Sequence, residues 1–180
     1  IEAALNGLGK PGMGCTATCA YIENDTLAIA HVGDSRAYLL HEGTLIRVTR
    51  DHSYVEELVD AGEITADEAR VHPNRSVITR ALGSDPAMYA DHFTLHIEEG
   101  DRLILCSDGL SSMIPDSDIE NIATQSSTAQ ICVDNLVDAA LAAGGHDNVT
   151  VVVVDLVDDG VMREAKRVRR RNVTIAAVLA

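Results

Sequence analysis

The late run of β-branched residues from Val149 to Leu156 most constrains the fold that this chain can adopt. Its consecutive valines are typical of a central strand that is buried on both faces. Turn-forming residues separate the earlier apolar segments from one another. These segments predict an antiparallel meander of four strands: Cys15–Ile22, Leu27–Val32, Ala37–Leu40 and Leu45–Val48.

Between the meander and the late run, the apolar period changes from that of strands to that of helices. Helices are predicted from Ser53, and again from the capping box Thr65–Glu68. Two longer helices are predicted at Asp116–Thr124 and Thr128–Ala143, after a strand pair at Phe93–Ile97 and Arg102–Cys106. Strands followed by helices and a returning strand indicate an α+β sandwich.

The charge balance limits the partners of this chain. It has 14 basic and 28 acidic residues, for a net charge of −14. A nucleic-acid-binding surface needs concentrated Lys and Arg, so we expect no nucleic acid partner. The acidity is compatible with divalent cations, whose protein ligands are carboxylates. Lys and Arg concentrate only at residues 163–171, which predicts a boundary near Gly160.

Three aspartates occupy comparable places beside predicted strands. Asp34 and Asp108 each follow a strand, and Asp147 comes just before the late run. Carboxylates that converge at a sheet edge repel one another unless cations lie between them. Hard oxygen ligands favour Mg²⁺ or Mn²⁺ over zinc. An isolated Asp in such a turn is usually only a turn former, so the metal interpretation requires all three to share one arrangement.

Five short motifs in a fixed order provide that arrangement. They are Gly14–Thr18, Val32–Arg36, Thr49–Ser53, Leu105–Leu110 and Gly145–Thr150. This series resembles the metal-dependent protein phosphatases (protein phosphatase 2C, or PPM), and especially the bacterial membrane-anchored members that oppose eukaryote-like Ser/Thr kinases. The resemblance implies a four-layer α/β/β/α sandwich of two antiparallel sheets flanked by helices. It also implies hydrolysis of phosphoserine and phosphothreonine by water activated by two to three Mg²⁺ or Mn²⁺ ions, with no other cofactor.

The resemblance assigns roles to individual residues. Asp108 and Asp147 match ligands of a binuclear metal centre, and Asp34 matches a ligand of a third metal. Ser76 belongs to a flap at about residues 49–83 and is a weaker candidate ligand of that third metal. Gly109 and Asn148 match residues that support the site. Two more residues are interpreted as structural: His52 as a flap-hinge residue and Arg36 as a partner within its turn.

The segment before Gly14 lacks features that the family carries. Its members begin with an acidic strand, an Arg that grips the substrate phosphate, and an Asp-Gly pair that bridges two metals. We therefore expect the phosphatase domain at residues 1–158 to be N-terminally incomplete, with this Arg and the general acid upstream of residue 1. Alone, it should bind metal weakly and show little turnover. Two alternatives remain: a catalytically inactive pseudophosphatase or regulatory binding module, and a phosphatase that controls an anti-sigma-factor antagonist.

The last residues predict a membrane connection. Residues 159–171 are expected to form a basic juxtamembrane linker, and residues 172–180 to begin a transmembrane helix, as the positive-inside rule suggests. A solvated basic helix end with a disordered tail is the alternative. The expected protein is a monomeric cytoplasmic domain anchored to the cell membrane. Its expected substrates are phosphoproteins, a Ser/Thr kinase among them.

Overall fold

The computed structural model describes residues 13–85, 87–157 and 173–177, the last of these as backbone only. The strands are β1 Ala17–Glu23, β2 Thr26–Val32, β3 Arg36–His41, β4 Thr44–Arg47, β5 Asp91–His96, β6 Arg102–Cys106, β7 Val151–Asp155 and β8 Val173–Ala177. The helices are α1 Tyr54–Asp60, α2 Ala66–Val71, α3 Asp108–Ser111, α4 Asp116–Gln125 and α5 Ala129–Ala142. Most predicted elements are therefore present, with boundaries shifted by a few residues.

The strands form two antiparallel sheets of four strands each. The first sheet has the order β5-β2-β1-β8, and the second has the order β4-β3-β6-β7. Side chains of β6 alternate between two cores. Leu103 and Leu105 lie between the sheets, whereas Ile104 packs with Leu110, Leu136 and other residues between the second sheet and helices α3, α4 and α5. The predicted α+β class, with two antiparallel sheets and flanking helices, is confirmed.

Two predicted strand neighbours are wrong. The first quarter is not one meander, because β2 lies in the first sheet and β3 lies in the second. Strands β5 and β6 likewise do not pair with each other: β5 pairs with β2, and β6 pairs with β3 and β7. In both places a turn carries the chain from one sheet to the other. Local apolar patterns reveal strands but not this crossing, since each strand alternates in the same way in either topology.

Among the described residues, the late run is an edge strand of its sheet rather than the central one that was predicted. Strand β7 pairs only with β6 within the described part of the chain, and its residues are half-buried. Val151 and Val153 pack towards the helices, whereas Val152 and Val154 pack towards the first sheet. The run is apolar on both faces because other residues pack against both faces. The same pattern would occur whether β7 has a neighbouring strand on one side or on both sides.

The C-terminal prediction also differs from the structure. Val173–Ala177, expected at the start of a transmembrane helix, form strand β8 and pair with β1. Their β-branched residues suit a strand, and the pairing occupies an edge of β1 that would otherwise be open. No helix among residues 13–85 and 87–157 is long and apolar enough to cross a membrane. The basic linker at residues 159–171 lies outside the described residues.

The predicted flap is a helical segment inserted between β4 of the second sheet and β5 of the first sheet. Ser53 caps α1 by accepting a hydrogen bond from the Glu56 N–H. The predicted capping box is confirmed at Thr65 and Glu68, at the start of α2. The flap then returns to the body, where Leu82 exchanges two backbone hydrogen bonds with Cys15 at 3.0 and 2.8 Å.

Candidate functional site

One cavity of about 320 Å³ brings the predicted site residues together. It lies where β2 and β6 end and where the loop before β7 begins. Its walls include Asp34, Asp108, Asp147, Ser76 and Asn148. Residues far apart in sequence thus meet at one end of the sandwich, as the motif order predicted. Their role as metal ligands remains a prediction.

The carboxylates influence one another through Asp108. Burial, and after it the neighbouring charge of Asp108, raises the pKa of Asp34 to about 6. Burial, and after it the charge of Asp147, raises the pKa of Asp108. Keeping Asp34 and Asp108 ionised side by side in this partly buried place therefore has an electrostatic cost. A bound cation would offset that cost.

The donor set suits a hard cation but is incomplete. Carboxylate and hydroxyl oxygens are the ligands that Mg²⁺ and Mn²⁺ prefer. Within the described part of the chain, however, no group of three His, Cys, Asp or Glu side chains is close enough to hold a metal ion. Asp108 is the electrostatic neighbour of both Asp34 and Asp147, so the three carboxylates would supply only part of a coordination sphere.

The predicted support residues join the Asp108 turn to the Asp147 loop. The Ser107 hydroxyl donates to the Asn148 carbonyl at 3.1 Å and accepts from the Thr150 N–H at 3.0 Å. The Asn148 N–H donates to the Asp147 carboxylate at 2.7 Å. Gly109 lies under the same loop, where a Cβ atom would be 2.3 Å from the Asn148 carbonyl oxygen. The close contact fixes the spacing between the two aspartates.

Substituting Gly109 by alanine should therefore damage both stability and the site. The new methyl group would collide with backbone, so helix α3 or the Asp147 loop must move. We expect a loss of about 1–3 kcal/mol in the free energy of unfolding, the usual cost of overpacking. Urea denaturation measures it. Gly14→Ala is the matched control, since a Cβ there would be 3.3 Å from the Leu82 carbonyl oxygen and would require only a small shift. Equal losses in the two variants would contradict the prediction.

The Asp34 turn (Gly33–Ser35) is held by a buried polar network. The Thr18 hydroxyl lies 2.7 Å from the Ser35 hydroxyl and 2.9 Å from Nδ1 of His31. Nε2 of His31 donates to the Arg50 carbonyl at 3.0 Å. Because that carbonyl can only accept, the proton of neutral His31 resides on Nε2. Gly33 has a φ of 113° and passes directly over Thr16.

His31 should make the fold sensitive to acid. Burial, and after it the neighbouring His52, lowers the pKa of His31 to about 4 from its usual 6.5. The unfolded chain therefore binds a proton more readily, so stability is unaffected above pH 7 and falls as the pH drops from about 6.5 towards 4. Between pH 7 and pH 5 this amounts to about 2 kcal/mol.

The comparison that checks this prediction uses His31→Gln, which can still donate to the Arg50 carbonyl but does not titrate. Urea unfolding at pH 7 and pH 5 should show the larger drop in the wild-type chain. The same drop in both proteins would assign the acid sensitivity to other groups.

Asp51 has a structural role that sequence reasoning missed. Its carboxylate accepts hydrogen bonds from Arg36 at 2.8 Å and from Arg47 at 2.7 Å. Arg36 also lies 3.1 Å from the Tyr38 hydroxyl and 3.4 Å from the Asp116 carboxylate, and these partners lie outside the turn in which its partner was predicted. These contacts fasten the flap to the second sheet beside a further cavity of about 280 Å³. The available signal in the sequence was Asp51 itself, an acidic residue that directly follows the basic Arg50 in the Thr49–Ser53 motif.

Comparisons with known proteins agree with this architecture. The family profile described as Protein phosphatase 2C matches residues 9–149. The serine/threonine phosphatase stp of Listeria monocytogenes is 40% identical over 144 residues, which cover 80% of this chain and 57% of that protein. The serine/threonine protein phosphatase PstP of Mycobacterium tuberculosis is 45% identical over 150 residues, which cover 82% of this chain and 28% of that protein.

Solved structures give the same result. The crystal structure of the Mycobacterium tuberculosis phosphatase PstP/Ppp has a TM-score of 0.80 at 39% identity and covers 87% of this chain and 66% of that one. Stp1 from Staphylococcus aureus has a TM-score of 0.80 at 36% identity and covers 87% of this chain and 61% of that one. This chain thus spans little more than half the length of the curated Listeria phosphatases. The matched residues include all five motifs except the last residue of the fifth, and the chain belongs to the protein phosphatase 2C family.

Proposed function

We propose that this chain forms part of a metal-dependent protein serine/threonine phosphatase, which hydrolyses phosphoserine and phosphothreonine in proteins. The observation that carries the proposal is the meeting of Asp34, Asp108 and Asp147 in one cavity, where burial and then a neighbouring carboxylate raise the pKa of Asp34 and of Asp108. Curated relatives named as serine/threonine phosphatases support it.

The proposed ions are Mg²⁺ or Mn²⁺. The catalytic domain of PstP was solved in complex with two manganese ions. In this chain, Asp108 and Asp147 would contribute to one position, and Asp34 with Asp108 would contribute to another, with the Ser76 hydroxyl in the same cavity. When bound, such ions lower the pKa of a coordinated water and stabilise charge on phosphoryl oxygens.

The protein's own part is to hold these oxygens in place. The Ser107 and Asn148 hydrogen bonds fix the Asp147 loop against the Asp108 turn. The Thr18 and His31 network fixes the Asp34 turn. Such rigid supports are what a site needs in order to keep ligand geometry within a fraction of an ångström. The Arg that grips the phosphate and the general acid are still expected upstream of residue 1.

The test is Mn²⁺-dependent hydrolysis of a phosphothreonine peptide, measured on this chain and on the product of its complete reading frame. We expect little turnover by the chain alone. We expect clear turnover by the complete product, with a loss of at least about 100-fold in Asp108→Ala. Asp118→Ala removes an exposed carboxylate of α4 and is the control. A complete product that hydrolyses the peptide equally well without divalent metal would refute the proposal.

A regulatory binding module is the second candidate. It is favoured by one observation: no three-ligand group exists among residues 13–85 and 87–157. A pseudophosphatase should bind the phosphothreonine peptide without hydrolysing it at any Mn²⁺ concentration. Calorimetry with the same peptide, run beside the hydrolysis assay, separates the two candidates.

The proposed partners follow from the proposed activity. They are phosphoproteins, with a Ser/Thr kinase among them. The proposed location is the cytoplasmic side of the cell membrane, with the protein as a monomer. Membrane fractionation of the complete product, with and without the basic segment 163–171, tests the anchoring.

A further inference from the structure

His52 connects the flap to the turn that carries Asp34. Its backbone N–H donates to the Gly33 carbonyl at 2.7 Å, and its ring Nδ1 accepts from the Gly33 N–H at 3.0 Å. One flap residue therefore holds both backbone groups of the residue before Asp34. The side chain of His52 is buried, with 7% of its surface exposed, so water does not compete for these bonds.

The hydrogen-bond partners determine where the proton of His52 resides. A backbone N–H can only donate, so Nδ1 must carry a lone pair. Nε2 lies 2.9 Å from the Asp91 carboxylate, which accepts. The ring is therefore neutral with its proton on Nε2, and the other tautomer would set an N–H against the Gly33 N–H. The ring of His31 lies beside it, with the two ring centroids 4.9 Å apart and the planes tilted by 36°, and His31 has the same tautomer.

The far side of His52 leads back into the flap. Asp91, at the start of β5, also accepts from Arg80 at 2.7 Å. The guanidinium of Arg80 lies 4.5 Å over the ring of Tyr89. The His52 carbonyl accepts from the Thr79 N–H at 2.8 Å. His52 is thus in contact with the outgoing and the returning segments of the flap and with the Asp34 turn.

We propose that His52 is a positioning residue: its Nδ1 lone pair fixes the Gly33 N–H, and so makes the placement of Asp34 depend on the flap. The inference depends on the proposed function only for its catalytic meaning, because the hydrogen bond and the tautomer exist in any case. An anchor of this kind acts through the backbone of the turn, so it needs no contact with substrate.

Two substitutions separate the role of Nδ1 of His52 from the role of its Nε2. In His52→Asn, the side-chain oxygen occupies the place of Nδ1 and can accept from Gly33, but it cannot reach Asp91. In His52→Gln, the amide nitrogen occupies the place of Nε2 and can donate to Asp91, but the Gly33 N–H is left unpaired. His92→Asn is the control, because His92 is exposed on β5 beside Asp91.

Three measurements require no activity, the first two on the 180-residue chain and the third on the complete product. Side-chain ¹⁵N NMR should show the Nε2–H tautomer for His52. Amide hydrogen exchange at Gly33 should be about tenfold faster in His52→Gln than in the wild type, and nearly unchanged in His52→Asn and His92→Asn. Calorimetric titration of the complete product with Mn²⁺ alone should show binding that is about tenfold weaker in His52→Gln and restored in His52→Asn.

The opposite order of the two variants would overturn the inference, since it would make the Asp91 contact the important one. A proton on Nδ1 would overturn it as well. If His52→Gln does not fold, two results still test the inference. They are the tautomer of His52 in the wild type and the exchange rate of the Gly33 amide in His52→Asn, which should equal that of the wild type. If the chain shows the expected tautomer and exchange pattern but the complete product lacks phosphatase activity, only the proposed function is refuted.

Discussion

Replacing Asp108 by asparagine is expected to weaken Mn²⁺ binding by at least about 100-fold, because loss of a supporting residue alone costs 10–100-fold. Asp108 interacts with both other carboxylates: burial, and after it the charge of Asp108, raises the pKa of Asp34, and burial, and after it the charge of Asp147, raises the pKa of Asp108. The same substitution should stabilise the metal-free chain, because it removes the charge that the other two carboxylates repel.

Calorimetric titration of the complete product with Mn²⁺ measures the first effect, and urea unfolding of the 180-residue chain in the presence of a chelator measures the second. Asp118→Asn, on the exposed side of α4, should change neither quantity substantially. The signs are informative, because a residue that served only the fold would lose stability on substitution. An Asp108→Asn protein that binds Mn²⁺ like the wild type would remove Asp108 from the proposed site.

Replacing Arg102 by methionine should destabilise the fold by about 3 kcal/mol or more. The guanidinium is bound to the Asp155 carboxylate at 2.5 and 3.1 Å, and it donates to the carbonyls of Ala123 and Ser126 at the end of α4. Only 7% of Arg102 is exposed. Its removal leaves one carboxylate without a partner and two carbonyls without a donor, and each has a cost.

The paired substitution Arg102→Met with Asp155→Leu tests this account. It removes the orphaned carboxylate, so it should regain part of the lost stability, whereas the two carbonyls stay without the arginine. Urea unfolding of the four proteins in the cycle gives the coupling free energy. Strictly additive losses would show that the ion pair is not what Arg102 contributes.

Features set by local chemistry were predictable from the sequence. The capping box at Thr65 and the strand boundaries of β6 depend on residues that are neighbours in the chain. The convergence of Asp34, Asp108 and Asp147 was predictable because five motifs resembled one known arrangement. Without that resemblance, each of these aspartates would have passed for an ordinary turn residue.

Features that depend on which distant part of the chain a strand or side chain contacts were not predictable from the sequence. The apolar pattern of β3 is the same whether the strand continues the sheet of β2 or crosses to the other sheet. The pattern of β7 is likewise the same for an edge strand and for a central one. The pairing of β8 with β1 depends on contact between segments more than 150 residues apart. The role of His52 is visible only when the Gly33 N–H lies beside its ring, since a histidine in sequence does not disclose its tautomer.

The crossing between β2 and β3 gives the Asp34 turn a mechanical role. Asp34 lies where the chain leaves the first sheet, whereas Asp108 follows β6 of the second sheet. A cation held by both carboxylates would also be a cross-link between the two sheets. Its loss should shorten the lifetime of the folded state, because the sheets could then part at this end before the helical core opens. In such a protein, the availability of metal would control how long the fold persists.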